Sequence, residues 1–435
     1  MNKILCIIAA ALGFSVGAGS QNIQPVVINS DHSVTISVKF PDAEEVSIKG
    51  SLLPRARTFR TPAGVFGKDG EEEMTKKEGG VWTFTTKPLS PELYTYSFEV
   101  DDKDTFDISC PARYRDITTW LNYFIIPGGI ANDYMTNKVP HGKVSLVWYD
   151  SKIPGLPRRR MAVYTPPNYT KGRRYPVLYL LHGTGGDERS WTELGRAQNI
   201  LDNLIAAKRC VPMIVVMPNG IANRAATPGE DPFNTAPASA TAVESMLGII
   251  EGAFMPEVVK YVETHYPVIA AKSGRAIAGL SLGGLHTLFI SANNPKAFDY
   301  VGLFSAQTTN TITSSRKIGR IERLASTIDK ISDTFPFFAR GGKGKRIDGY
   351  ASLVGEGRLA VYDSLDYKLR QQFDDKPKLY YIAYGRDDFV KKLNEDFRQR
   401  LDSNNYKYVL NITDGGHSWE NWRKYLVDFL PRLFK

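Results

Sequence analysis

The chain has 435 residues, of which 42% are hydrophobic and 23% charged. That excludes a disordered or collagen-like protein and leaves enough apolar sequence for a sizeable core. Lys plus Arg number 55 against 46 Asp plus Glu, a net charge of +9. No long basic run carries this excess, so it bears on solubility and argues against a nucleic-acid partner.

At the start, Lys3 precedes an apolar run from Ile4 to Leu12, followed by small residues from Ser15 to Ser20. This order predicts a cleavable secretory leader over 1–20, cut near Ser20–Gln21. The run is too short to span a bilayer, and no later stretch approaches about 18 apolar residues. The mature chain is therefore expected to be secreted or periplasmic, with no membrane association. Cys6 lies inside the leader, poorly placed for lipid attachment. Cys110 and Cys210 leave two readings open, one disulfide or two buried thiols; neither their number nor their spacing suggests a metal or haem site.

Residues 25–127 read as short strands. Val34, Ile36 and Val38 alternate with polar residues, as do Val46 and Ile48, Trp82 and Phe84, and Tyr94, Tyr96, Phe98 and Val100. Turn signals at Pro41-Asp42, Lys68-Asp69-Gly70 and Gly79-Gly80 separate them, which predicts a β-sandwich module. A linker over 128–145 follows, marked by Pro127-Gly128-Gly129 and Pro140-His141-Gly142.

Over 146–435 the pattern changes. Apolar runs at Val177–Leu181, Met213–Met217, Ala276–Gly279, Leu379–Tyr384 and Tyr408–Ile412 predict buried strands. Helical spacing joins Ile200, Leu201, Leu204 and Ile205, then Val243, Leu247, Ile250 and Phe254. Further helices are predicted over Leu282–Ala292, through Leu393, Phe397 and Leu401, and from Trp419 to Leu433. Such alternation implies an α/β domain, a mostly parallel sheet with helices on both faces. Segments 221–242 and 307–360 break the rhythm with Pro, Gly and Thr clusters and the stretch Gly341–Lys345; they read as functional lids or as disordered surface.

The strongest chemical signal is Gly279-Leu280-Ser281-Leu282-Gly283-Gly284, the G-x-S-x-G nucleophile elbow, placed between a predicted strand and a buried helix. The tight turn brings neighbouring backbone into contact, so side chains at the flanking glycines would collide. The helix N-terminus points at Ser281 and favours developing negative charge.

A serine hydroxyl needs a base. Of six histidines, His417, in Thr413-Asp414-Gly415-Gly416-His417, alone follows a late strand. His182 and His286 read as structural. The order nucleophile, acid, histidine is that of α/β-hydrolases. The acid falls after Tyr380–Tyr384, at Gly385-Arg386-Asp387-Asp388; spacing does not separate Asp387 from Asp388. Oxyanion donors are expected from the backbone N–H of Leu282 and, in His182-Gly183-Thr184-Gly185-Gly186, from Thr184. No lysine closes that glycine loop as a phosphate-binding loop requires.

Leu181–Glu188 with Trp191, Gly279–Gly284, Gly385–Asp388 and Gly415-Gly416-His417-Ser418-Trp419 together resemble the esterase D-like family, and within it the feruloyl and acetyl-xylan esterases of carbohydrate esterase family one. The resemblance covers roughly residues 140–435. It implies an α/β-hydrolase fold and a serine esterase working through an acyl-enzyme without metal or organic cofactor. It assigns Asp388 as acid and Thr184 as oxyanion donor. The implied substrate is an esterified plant polysaccharide or oligosaccharide, with ferulic acid or acetate released. Trp191 and Trp419 are aromatic faces suited to substrate; Trp422 reads as packing. Gly80-Val81-Trp82 and Leu93-Tyr94-Thr95-Tyr96 resemble the immunoglobulin-like or starch-binding-like modules that precede such esterases, although Phe106–Cys110 departs from their usual turn. Rival readings are a trilactone esterase or acyl transferase, and an inactive carbohydrate-binding protein.

Overall fold

The computed structural model describes residues 23–54, 57–61, 64–68, 70–117, 119–230, 247–308 and 356–435. The leader over 1–20, residues 231–242 of the first irregular segment and most of the second lie outside them.

Two antiparallel sheets form the body of the N-terminal region, beside a separate two-stranded hairpin of Arg57–Thr61 and Gly64–Lys68. One runs in the order Val26–Ile28, Val34–Lys39, Val81–Thr85 and Thr75–Lys77. The other runs Arg113–Asp116, Thr119–Ile125, Leu93–Val100, Val46–Gly50 and Gly70–Glu73, with Lys103–Thr105 beside Leu93–Val100. The alternation seen in the sequence is the alternation of burial. Val34, Ile36 and Val38 point inward from the first sheet and meet Ile48, Tyr96, Phe98 and Phe124 of the second in one core, with Trp82 among them. The Trp82 indole N–H donates to the Phe40 carbonyl at 3.0 Å.

An eight-stranded sheet follows, ordered Lys143–Asp150, Arg158–Thr165, Ile214–Pro218, Val177–Leu181, Arg275–Leu280, Tyr300–Phe304, Leu379–Gly385 and Val409–Thr413. Arg158–Thr165 is antiparallel to both its neighbours, and every other pairing is parallel. The apolar runs are continuous because both faces are covered. Val177, Tyr179 and Leu181 point to the layer holding Leu285, Leu288, Phe397 and Leu401. Leu178 and Leu180 point to the opposite layer, with Ile200, Leu204, Tyr425 and Phe429. The helical stretch Ile249–His265 widens to a π-turn over Phe254–Val259, where Pro256 withholds an N–H. Cys110 and Cys210 are buried free thiols, and burial pushes the Cys210 thiol up to about 12.

The sandwich is packed onto the larger domain. Leu93 and Tyr114 lie in the same apolar cluster as Trp191 and Tyr425. Arg423, 2% exposed on the C-terminal helix Trp419–Phe429, donates to Leu194 O at 3.0 Å and to Glu92 and Leu93 O at 3.2 Å each. Its guanidinium lies 5.3 Å from the Tyr134 ring centroid. Among the described residues no helix is long and apolar enough to cross a membrane.

Candidate active site

The parallel register brings the motif residues to one edge. Leu181 pairs with Gly279, Leu280 with Phe304, Phe304 with Ala383 and Gly385 with Thr413. Residues 182, 281, 305, 388 and 417 thus follow the carboxyl ends of five parallel strands, where open α/β sheets bind ligands.

Ser281 sits at φ +53° and ψ −116° between its strand and the helix Leu282–Asn293. Few residues adopt this conformation, and strain of this kind concentrates at functional sites. The glycines are explained by distance. A methyl group on Gly279 would lie 2.3 Å from the Gly283 carbonyl oxygen, and one on Gly283 would lie 2.4 Å from the His182 carbonyl oxygen. Both contacts are far below van der Waals separation. The Ser281 N–H donates to Phe304 O at 2.9 Å, and the helix opens with Leu285 N–H to Ser281 O at 3.1 Å. Leu282, 1% exposed, holds the first helical position, whose N–H has no partner within the helix.

The glycine loop His182–Gly186 lies against the elbow. A methyl group on Gly183 would come within 3.1 Å of Ser281 Cβ. Thr184 is half-buried beside it. His182 is structural, as expected: its Nε2 accepts from Gly220 N–H at 2.7 Å and its Nδ1–H donates to Gly183 O at 2.8 Å. Burial pushes its pKa down to about 4, so the imidazole is neutral. Glu188, fully buried, anchors the loop. It accepts from Arg160 Nε at 2.7 Å and from Asn219 Nδ2, Thr227 N–H and Thr227 Oγ1 at 3.0 Å each.

On the other side of Ser281, the His417 Nδ1 lies 2.9 Å from Asp388 Oδ1. Gly385 makes this approach feasible, since a methyl group there would lie 2.1 Å from Gly415 O. Asn421 Nδ2 donates to Gly416 O at 2.8 Å and fixes the loop. Phe389 at 4.2 Å and Trp422 at 5.0 Å between ring centroids flank the imidazole. Asp388 is 2% exposed. Burial alone would raise its carboxyl, but the His417 imidazole and the Val390 N–H outweigh that and hold it below the usual carboxylate range. Asp387 is exposed, and Arg386 pairs with Asp414. Of the two aspartates, Asp388 is the one whose carboxylate faces the imidazole.

Trp191 requires correction. It is 1% exposed, its indole N–H donates to Leu181 O at 3.0 Å, and it meets Trp419 edge-on at 5.3 Å. It braces the wall from behind and offers no face to substrate. Trp419 is half-buried and remains a candidate. Trp422 is packed, as expected. The sequence reading missed Glu188 and the approach of Arg115 and Ile117 from the sandwich; the latter depends on a contact 72 positions apart with no local signature. Among the described residues no group of three or more His, Cys, Asp or Glu is placed to hold a metal ion.

Residues 156–433 match the Esterase family model, described as "Putative esterase". The chain is 32% identical over 289 residues to an endo-1,4-beta-xylanase/feruloyl esterase of Xylanibacter ruminicola, covering 65% of this chain and 36% of that protein, so it spans about a third of that relative. An acetyl esterase of Caldicellulosiruptor saccharolyticus is 25% identical over 260 residues, 60% of this chain and 83% of the relative. Among solved structures, the enterobactin esterase FES of Shigella flexneri superposes with TM-score 0.55 at 14% identity, covering 92% of each chain. A ferulic acid esterase of Anaeromyces mucronatus with ferulic acid bound gives TM-score 0.50 at 20% identity over 70% of this chain and 94% of that one. These neighbours share the α/β-hydrolase fold. With its elbow, glycine loop and histidine loop at one sheet edge and most of its length matched, the chain belongs to the Esterase family of serine ester hydrolases.

Proposed function

We propose that this protein hydrolyses esters on plant cell-wall polysaccharide, releasing ferulic acid or acetate, with Ser281 as nucleophile, His417 as base and Asp388 as its orienting acid. The observation that carries this reading is the 2.9 Å pair of Asp388 and His417 on the same sheet edge as the strained Ser281. The names of the feruloyl and acetyl esterase relatives support the acyl class.

In the mechanism, Ser281 Oγ attacks the ester carbonyl while His417 Nε2 takes its proton. Asp388 holds the Nδ1–H tautomer and stabilises the imidazolium. The carbonyl oxygen gains negative charge and is received by the N–H of Leu282 at the helix start and by that of Thr184 in the glycine loop; one such donor is worth about 10²–10³ in rate. His417 returns the proton to the leaving alcohol, and the acyl group stays on Ser281. Water attacks the acyl-enzyme by the same route in reverse, and the free acid departs. We also propose that the segment over 1–20 directs export, which suits a polymeric substrate outside the cell.

Ser281→Ala assayed on methyl ferulate and acetylated xylan is the test. Turnover should fall at least about 10⁴-fold; undiminished turnover would remove Ser281 as nucleophile. A panel including a catecholate trilactone separates the cell-wall reading from the trilactone one.

A further inference from the structure

The sandwich sends the turn of one hairpin, between Arg113–Asp116 and Thr119–Ile125, to the glycine loop. Ile117 in that turn has φ +53°. A β-branched residue in the left-handed region is a steric outlier, and such strain persists only where the surroundings impose it. Here they are visible. Arg115 donates through Nη1 to the Ile117 carbonyl oxygen and through Nη2 to Asp187, which is 3% exposed at the end of the glycine loop.

The Ile117 side chain rests on Gly185. A methyl group on Gly185 would lie 2.9 Å from Ile117 Cδ1 and Cγ1 and 3.1 Å from Cγ2, so only glycine admits this approach. The glycine loop links Ile117 to the nucleophile: Gly183 abuts Ser281, Gly185 abuts Ile117, and the two glycines lie at most about 7.6 Å apart along the chain. Ile117 is half-buried, so part of its apolar surface stays open beside the loop. An exposed aliphatic group suits an aromatic acyl chain better than a hydroxyl-rich sugar, because it gains by excluding water and offers no hydrogen bond.

We propose that Ile117 is a specificity-determining residue of the ester cleft, contributed by the N-terminal sandwich and contacting the aromatic acyl group, with Arg115 as its positioning residue. The proposal rests on Ser281 being the nucleophile. It makes the active site a composite of both domains.

The test uses the full chain with Ile117→Ala, Ile117→Val, Arg115→Ala and the exposed control Ile108→Ala. KM and kcat are measured for methyl ferulate and for p-nitrophenyl acetate, and a fluorophosphonate label reports on Ser281. Ile117→Ala should lower the ratio of kcat/KM for ferulate over acetate about tenfold, mainly through KM. Ile117→Val should retain most of the ratio, Arg115→Ala should shift it in the same direction, and Ile108→Ala should leave it alone. An unchanged ratio in Ile117→Ala and Arg115→Ala overturns the proposal. So does a parallel loss on both esters, which would reduce Ile117 to a prop for the loop. A wild-type chain that takes no label at Ser281 fails the nucleophile assignment; a labelled Ser281 with an unchanged ratio fails this proposal alone.

Discussion

Among the described residues, the buried carboxylates Asp388 and Glu251 hold His417 at 2.9 Å and His286 at 2.8 Å, while buried Asp202 holds the more exposed His141 at 2.9 Å. In Asp388 and Glu251 alike, the carboxyl lies below its usual range although burial alone would raise it, because the imidazole beside it and the other hydrogen bonds it accepts together more than compensate. Their surroundings differ. Glu251 also receives the Tyr362 hydroxyl at 2.6 Å and the Gly248 N–H at 2.9 Å. The His286 side chain is 1% exposed, and its Nε2 is buried without a hydrogen-bond partner among the described residues. His417 is 13% exposed on a loop at the sheet edge. The same pair of groups is a strut inside the molecule and, in the mechanism proposed above, acid–base machinery at its rim. The second role needs an open nitrogen next to a nucleophile.

Exchanging the two histidines' fates tests this contrast. The largest effect belongs to His417→Ala, which should lower kcat on methyl ferulate by about 10⁴-fold or more with the thermal midpoint little changed. Asp388→Asn should cost about 10³–10⁴ in kcat, because the wrong tautomer is then presented to Ser281. His286→Ala should act the other way round. Breaking its buried pair should lower unfolding free energy by about 3–5 kcal/mol in urea titration, with kcat of the folded enzyme within about fivefold of wild type. A collapse of kcat in folded His286→Ala would erase the distinction.

Acid should sharpen it further. Glu251 and Asp388 have depressed folded pKa values. The stability they add is full above their ordinary values and is lost as pH falls through the folded ones. His182 works in a separate window. Its pKa drops from 6.5 to about 4 on folding, so the unfolded chain binds the extra proton between those values. Stability should therefore fall with pH from 6.5 towards 4, by up to about 1.4 kcal/mol per pH unit. Urea midpoints of wild type and His182→Gln over that range should differ in slope; identical slopes would refute a neutral buried His182.

The parts of the site legible in the sequence are those where backbone crowding dictates residue type. Gly279 and Gly283 are required by contacts under 2.5 Å, and that requirement is the motif. His417 is singled out in the sequence by its place after a late strand. Asp388 was separated from Asp387 only by family resemblance; the reason, that Gly385 against Gly415 turns residue 388 inward, is a long-range contact. The central strands announced themselves because both faces are buried. Tyr300–Phe304 did not, since the run is short and broken by Gly302, and neither did Arg158–Thr165, where Arg159 and Arg160 are buried among partners the sequence does not reveal. Trp191 was misjudged because an indole near a motif reads alike whether it faces the cleft or the core.

Arg423 carries a consequence for how this chain can be cut. Its charge sits in the seam between sandwich and hydrolase, neutralised from the sandwich side by Glu92 while the Leu93 carbonyl accepts a hydrogen bond from it. A fragment beginning after residue 140 would strand that cation under the helix that follows His417. The two halves should accordingly melt in a single calorimetric transition, and grafting the catalytic half onto a foreign neighbour would call for a substitute anion at that seam.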